Sequence, residues 1–308
     1  MSPVDPKAGK ARQKWSPRDP ETPGADTDAV PALRVHGLCK EFRARGERPG
    51  DGTVAASDVS FAVPAGGALG IVGESGSGKS TIARMLVGLL APDRGTVEVD
   101  GRERSFRSHV GRAQRLARAR EVQMVFQDPY VSLDPRLSAE QCVGSVLRLH
   151  GLGDRAARAR RTAELLDQVG LGSREAAARP HALSGGQRQR LSIARALAAG
   201  PRVLVLDEAV SALDVSIQAQ IVRLLADLRR DSDVALVFVT HDLAVVQHVT
   251  DDLLVLYRGV AVEQGRTAEV LAAPRHAYTQ LLVGSVPRPG WDPAEVVRLR
   301  AAVLGATV

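Results

Sequence analysis

The run Gly73-Glu74-Ser75-Gly76-Ser77-Gly78-Lys79-Ser80 has the Gly-x4-Gly-Lys-Ser spacing of a phosphate-binding loop. An apolar run suited to a strand, Ala68–Val72, precedes it, and a helical stretch, Thr81–Leu90, follows. The glycines let backbone N–H groups turn inward around the β- and γ-phosphates without side-chain clash. The following helix points its positive end at the same anion. Lys79 supplies a point charge, and the Ser80 hydroxyl can ligate Mg²⁺. The chain has 36 arginines and five lysines, and Lys79 is the sole lysine after Lys40. A compact ammonium fits such a pocket, whereas a planar guanidinium would crowd it. A Gly-rich turn with an incidental lysine is the bland alternative, and the strand–loop–helix setting opposes it. Gly73 through Thr81 are therefore the expected ATP contacts.

Three more strand ends carry polar groups suited to the same chemistry. Val203–Leu206 runs into Asp207-Glu208. Asp207 can hold Mg²⁺, in all expectation through water, and Glu208 can polarise an attacking water. Val234–Thr240 runs into His241-Asp242, and the imidazole can hydrogen-bond a γ-phosphate and orient water. Gln127, after Val122–Phe126, is neutral and can reach the metal or the water. Alone, two acids after a strand can be a terminator, and a lone histidine is more often structural. The phosphate loop is what gives these positions weight.

A second anion site is legible at Leu183-Ser184-Gly185-Gly186-Gln187, before a helical stretch through Ala199. Ser184 is a fitting N-cap, and the glycines present bare N–H groups at a helix start. One ATP has little use for two such sites far apart in one chain. A head-to-tail dimer accounts for both, with each ATP held between one chain's phosphate loop and Ser184–Gln187 of the other.

The elements that must carry these residues alternate strand and helix around a helical block. Candidate strands are Leu33–Val35, Val59–Val63, Ala68–Val72, Val97–Val99, Val122–Phe126, Val203–Leu206, Val234–Thr240 and Leu253–Tyr257. Between Ser132 and Arg190 the periodicity turns helical, with helices near Ala139–Leu149 and Arg155–Val169 ended by Gly151 and Gly170. This pattern predicts a parallel-sheet core interrupted by an all-helical insertion. Residues 1 to about 30 carry five prolines and little apolar material, so a disordered tail is expected there. From about Val286 onward the chain is Pro-containing and weakly patterned.

Bulk composition excludes several classes. At 308 residues, 44% hydrophobic and 25% charged, the chain reads as globular. No stretch approaches the roughly 18 apolar residues that cross a bilayer, and the N-terminus lacks an apolar signal segment. A cytosolic location is expected, with any membrane role supplied by partners. Cys39 and Cys142 are too few for a disulfide framework or a four-thiolate metal site. The +6 net charge is modest, and the arginines of 102–120 and 155–161 have no aromatic interleaving beyond Phe106. They read as solvated helical faces, with no nucleic-acid partner expected.

Taken together, these motifs closely resemble the ABC (ATP-binding-cassette) ATPase family. Gly73–Ser80 is similar to its Walker A, Val203–Glu208 to its Walker B with the catalytic glutamate, and Leu183–Gln187 to its LSGGQ signature. Gln127 stands where the Q-loop would be, Ser211-Ala212-Leu213-Asp214 matches the D-loop, and His241 the switch histidine. The resemblance spans about residues 32–286. It implies an α/β fold: a RecA-like P-loop core, an N-terminal antiparallel β subdomain and an inserted α-helical subdomain carrying the signature. The layout it implies is a 1–30 tail, a 31–286 ATPase domain with an insertion at about 132–195, and a 265–308 C-terminal extension overlapping the domain end. Family members stack an upstream aromatic on adenine. Phe42 is the candidate here, since Phe61 sits in an alternating strand and reads as core.

Three stretches resemble the ATPases of peptide and nickel importers in particular: Gln127–Arg136, Asp207–Gln220 and Arg275–Leu282 followed by Val286-Pro287. The last is similar to that group's HPYT element, with Ala277 where proline is usual. The resemblance implies the second ATPase of an importer pair on the cytoplasmic face of the cell membrane. It implies ATP and Mg²⁺ as ligands and a paralogous ATPase (or a second copy) as partner. Two transmembrane permease subunits and, indirectly, an extracytoplasmic solute-binding protein complete the set. Some members bind an iron–sulfur cluster through C-terminal cysteines; no cysteine follows Cys142, so none is expected. A soluble non-transport ABC ATPase and an exporter ATPase are the alternatives.

Overall fold

A computed structural model describes residues 30–43, 52–106, 111–211, 213–286 and 291–305. The stretch expected to be a tail lies, but for Val30, outside them. In chain order the elements are β1 (Leu33–Phe42), β2 (Thr53–Val63), β3 (Ala68–Val72), α1 (Lys79–Leu86), β4 (Arg94–Val99), β5 (Arg102–Glu103), α2 (Arg112–Glu121) and β6 (Val122–Val125). The helical block follows as α3 (Pro129–Ser132), α4 (Ala139–Leu149), α5 (Arg155–Gln168), α6 (Ser173–Ala177) and α7 (Gly185–Leu197). Then come β7 (Val203–Asp207), α8 (Val215–Asp231), β8 (Ala235–Thr240), α9 (Leu243–Val249), β9 (Asp252–Tyr257), β10 (Val260–Arg266), α10 (Thr267–Ala272), α11 (Ala277–Gly284) and α12 (Pro293–Gly305).

Two sheets form. One is antiparallel in order β2-β1-β4-β5; the other has order β10-β9-β3-β8-β7-β6, parallel from β9 through β6. The parallel strands are apolar almost throughout because both faces are covered. Their two-residue period divides the side chains between two cores. Val203, Val205, Val237 and Val239 join Leu69 and Ile71 in a core shared with α1 and the antiparallel sheet. Leu204, Leu206, Leu236 and Phe238 face a second core built with α4, α5 and α7–α9. The helical block therefore packs on the sheet between β6 and β7, which are themselves hydrogen-bonded neighbours.

Local signals set the block's boundaries. Ser138 caps α4 with a reciprocal box, its hydroxyl accepting from Gln141 N and its N–H donating to Gln141 Oε1. Asp154 caps α5 by accepting from Ala157 N. Several elements differ from the sequence reading: β1, β2 and β4 run well beyond the apolar cores at Leu33–Val35, Val59–Val63 and Val97–Val99, because half-exposed antiparallel strands carry polar residues too. The helix after the phosphate loop starts at Lys79 and stops at Leu86, because Gly88 turns to φ +78°. The weakly patterned C-terminal stretch forms α12, packed against α11 with Leu299 and Val303 in the second core. Its apolar residues do not follow one clear face, which hid it from a periodicity reading.

Leu206 is fully buried one residue before the acidic pair. Leu206→Ala should cost about 2–5 kcal/mol, read as a lower urea midpoint; an unchanged midpoint would contradict this packing.

Candidate active site

The polar strand ends meet because the strands are parallel and adjacent. Val72 pairs with Thr240, Asp207 with Val239, and Val125 with Leu206. The C-terminal ends of β3, β8, β7 and β6 thus lie side by side at one sheet edge, which is where open α/β sheets bind ligands. Each end delivers one of the expected groups: the phosphate loop, His241, Asp207-Glu208 and Gln127.

The loop itself demands glycine at Gly78. Its φ is +106°, and a Cβ there would stand 1.9 Å from the Ala55 carbonyl oxygen. Inside the loop, Lys79 Nζ donates to the carbonyls of Gly73 at 2.7 Å and Glu74 at 2.9 Å. Lys79 is 4% exposed. Burial lowers its pKa, while Glu208, Asp207 and Glu74 pull the other way.

Ser80 Oγ donates to Asp207 Oδ1 at 3.0 Å. These hard oxygens, one neutral and one anionic, are the donor types Mg²⁺ takes. Burial raises the Asp207 pKa, opposed first by the Ser80 hydrogen bond and reinforced by the charge of Glu208. Next door, Glu208 sits between two partners. Gln127 Nε2 donates to its Oε2 at 3.1 Å, and His241 Nδ1 lies 3.5 Å from Oε1. Glu208 also holds φ +48°, a strained value for a side-chain-bearing residue. Its N–H is bound to Val239 O, and its carbonyl accepts from Ser211 Oγ, so the strained conformation is fixed from both sides.

Ser184–Gln187 form a separate centre. Ser184 Oγ accepts from Gln187 N, and Ser184 N donates to Gln187 Oε1, closing a capping box at the start of α7. A Cβ on Gly186 would come within 2.5 Å of Ile217 Cγ2, so α7 starts in close contact with α8. Among the described residues, no hydrogen bond or ion pair joins Ser184–Gln187 to Gly73–Thr81. Asp214 stands at the N-cap of α8 without capping it through its side chain. Gln218, one turn on, donates to Asp242 Oδ2, linking α8 to the turn that carries His241.

Phe42 ends β1, is 45% exposed, and has Lys40 Nζ 5.8 Å from its ring centroid. Phe61 is buried in the core, as its strand alternation implied. Two contacts escaped the sequence reading. The Arg188 guanidinium lies over the Tyr130 ring, 4.3 Å from its centroid, tying α7 to α3. Tyr278 Oη accepts from Glu74 N in the phosphate loop. Both residues lay in stretches singled out by resemblance, but nothing in the sequence paired them.

Comparison with known proteins gives the family and the fold. A family model described as "ABC transporter" matches residues 56–211, and one described as "Oligopeptide/dipeptide transporter, C-terminal region" matches 262–305. The chain is 47% identical over 276 residues to the oligopeptide transport ATP-binding protein OppD of Mycobacterium bovis, covering 88% of this chain and 44% of that one. It is 44% identical over 263 residues to the glutathione import ATP-binding protein GsiA of Salmonella choleraesuis, covering 84% and 42%. It thus spans less than half the length of these two relatives. With a probable peptide ABC transporter ATP-binding protein of Sinorhizobium fredii it shares 47% identity over 241 residues, 78% of this chain and 67% of that one. Among solved structures, cbiO1 of Clostridium perfringens, part of an ABC transporter complex, superposes with a TM-score of 0.69 at 27% identity, covering 79% of this chain and 92% of that one. A dimeric ATP-binding cassette in a post-hydrolysis state with ADP and Pi gives 0.67 at 28% identity, covering 76% and 98%.

A raised folded-state pKa means that ionising Asp207 weakens the fold as pH rises through that pKa, with full stability only below the unfolded value. Asp207→Asn should therefore raise the melting temperature of the nucleotide-free protein at neutral pH. The gain should vanish in acid, where the wild-type carboxyl is protonated too. A lower melting temperature at neutral pH would refute this.

Proposed function

This chain belongs to the ABC transporter family, and from that premise we propose that it binds and hydrolyses ATP to power solute import, with peptides or a related solute as cargo. The observation that carries the reading is the Glu208 carboxylate, held between Gln127 and His241 beside the Lys79 loop. In this reading Gly73–Thr81 hold the ATP phosphates, and Phe42 stacks on adenine. Ser80, Gln127 and Asp207, the last through water, would hold Mg²⁺, which when bound offsets negative charge on the phosphates.

Glu208 accepts a proton from the attacking water, and His241 and Gln127 orient the water and the γ-phosphate. The contacts to Gln127 and His241 orient the Glu208 carboxylate before substrate arrives, which lessens the reorganisation needed at the moment of reaction. Ser184–Gln187 complete the site of the opposing subunit, with Asp214 at the seam between subunits. Their separation from the phosphate loop within one chain supports a head-to-tail dimer, formed with a paralogue or a second copy. The described residues include no helix long and apolar enough to cross a membrane, so translocation would belong to two permease subunits fed by an extracytoplasmic solute-binding protein. The chain would sit peripherally on the cytoplasmic face. The match of residues 262–305 to the oligopeptide/dipeptide transporter region supports peptides as cargo, and similarity to a glutathione import ATP-binding protein favours import over export.

Glu208→Gln should bind ATP normally, lose about 10²–10⁴-fold in turnover and elute as a dimer with ATP in size-exclusion chromatography. Wild-type turnover in that variant would reject the role of Glu208. Lys79→Ala should weaken ATP binding itself; unchanged affinity, measured by fluorescent-nucleotide titration, would remove the phosphate-loop assignment.

A further inference from the structure

The peptide unit joining Gly73 to Glu74 is held from both sides. Its carbonyl oxygen accepts from Lys79 Nζ at 2.7 Å, and its N–H donates to Tyr278 Oη at 2.7 Å. A trans peptide directs C=O and N–H in opposite directions. Two partners on opposite sides therefore fix its rotation, and one of them is the lysine of the phosphate loop.

Tyr278 reaches this position from α11, 204 residues away in sequence. It is 1% exposed, and its ring packs on Tyr257 at the end of β9, with centroids 4.3 Å apart. Burial pushes its hydroxyl up to about 12, so the phenol stays neutral. The start of α11 is anchored in turn. Glu263 of β10 accepts from the backbone N–H groups of Arg275 at 2.8 Å and His276 at 3.0 Å, and His276 Nδ1 accepts from Tyr278 N at 3.1 Å. An ordered path thus runs from β10 through the first turn of α11 to the loop. A tyrosine needed only for packing would not require its oxygen at a loop N–H.

We propose that Tyr278 is a positioning residue for the nucleotide: its hydroxyl oxygen sets the Gly73–Glu74 peptide, hence Lys79, so that the C-terminal helical segment tunes ATP affinity. The inference rests on the reading of Gly73–Ser80 as the ATP site. It goes beyond it by giving the segment after β10 a part in nucleotide binding.

The test is fluorescent-ATP binding and steady-state hydrolysis in the full chain for wild type, Tyr278→Phe, Lys79→Ala and the double variant. Tyr278→Phe keeps the ring and removes only the oxygen. It should weaken ATP binding by roughly 3- to 10-fold, the worth of one hydrogen bond. KM should rise while kcat changes by less than about twofold, since the loss is in ground-state binding. In the Lys79→Ala background the Phe substitution should add nothing, because its effect passes through Lys79. Wild-type affinity in Tyr278→Phe, even with a lowered melting temperature, would mean packing alone and overturn the proposal. So would full additivity in the double variant. If Lys79→Ala binds ATP as wild type does, the ATP-site reading itself falls, which separates the two failures. Amide exchange at Glu74 in the unmodified protein needs no substitution: slow exchange is expected, and free exchange rejects the hydrogen bond.

Discussion

The parallel register of β3, β8, β7 and β6 is the constraint on which the site depends. Four loops from distant parts of the chain meet because their strands end at one level along a single sheet edge. A one-residue slip in any strand would exchange its two buried faces, putting Val203 and Val205 where Leu204 and Leu206 now pack. The two cores on either side penalise that slip. Packing energy is in this way converted into positional accuracy for Lys79, Asp207, Glu208 and His241.

That accuracy is used against an electrostatic cost. Lys79 and Asp207 are both buried, and desolvation moves each pKa towards the neutral form. Lys79 is held by two loop carbonyls, Asp207 by Ser80, and Glu208 by Gln127. Phosphate oxygens entering the loop would offer Lys79 a stronger, charged acceptor than a carbonyl. Burial of Lys79 thus favours a charged, anionic partner in the loop.

The helical block is not an independent appendage. Tyr130 under Arg188, and Ser132 Oγ 3.4 Å from Ser192 Oγ, join the segment after Gln127 to α7, whose first turn carries Ser184–Gln187. Gln218 joins α8 to the turn bearing Asp242 and His241. Each contact ties chain next to Gln127 or His241, the two residues that touch Glu208, to an element at the proposed subunit seam. A change at Glu208 therefore has short, physical routes to the surface that would meet a second cassette. At the other end of the chain, Tyr278 gives the C-terminal helices their own hold on the phosphate loop.

Much of this was legible in the residues alone. Gly73–Ser80, Asp207-Glu208 and Ser184–Gln187 declare their chemistry by spacing, since backbone N–H cradles and helix caps are local structures written in consecutive residues. The strands were legible because a sheet covered on both faces needs uninterrupted apolar runs, as in Val203–Leu206 and Ala235–Val239. Only the tertiary structure decided which strands are neighbours, that Gln127 and His241 flank the same carboxylate, that Arg188 lies on Tyr130, and that Tyr278 touches Glu74. Those contacts join residues up to 204 apart in sequence. No local pattern encodes them, because they follow from how two cores close around one sheet rather than from the propensities of any single segment.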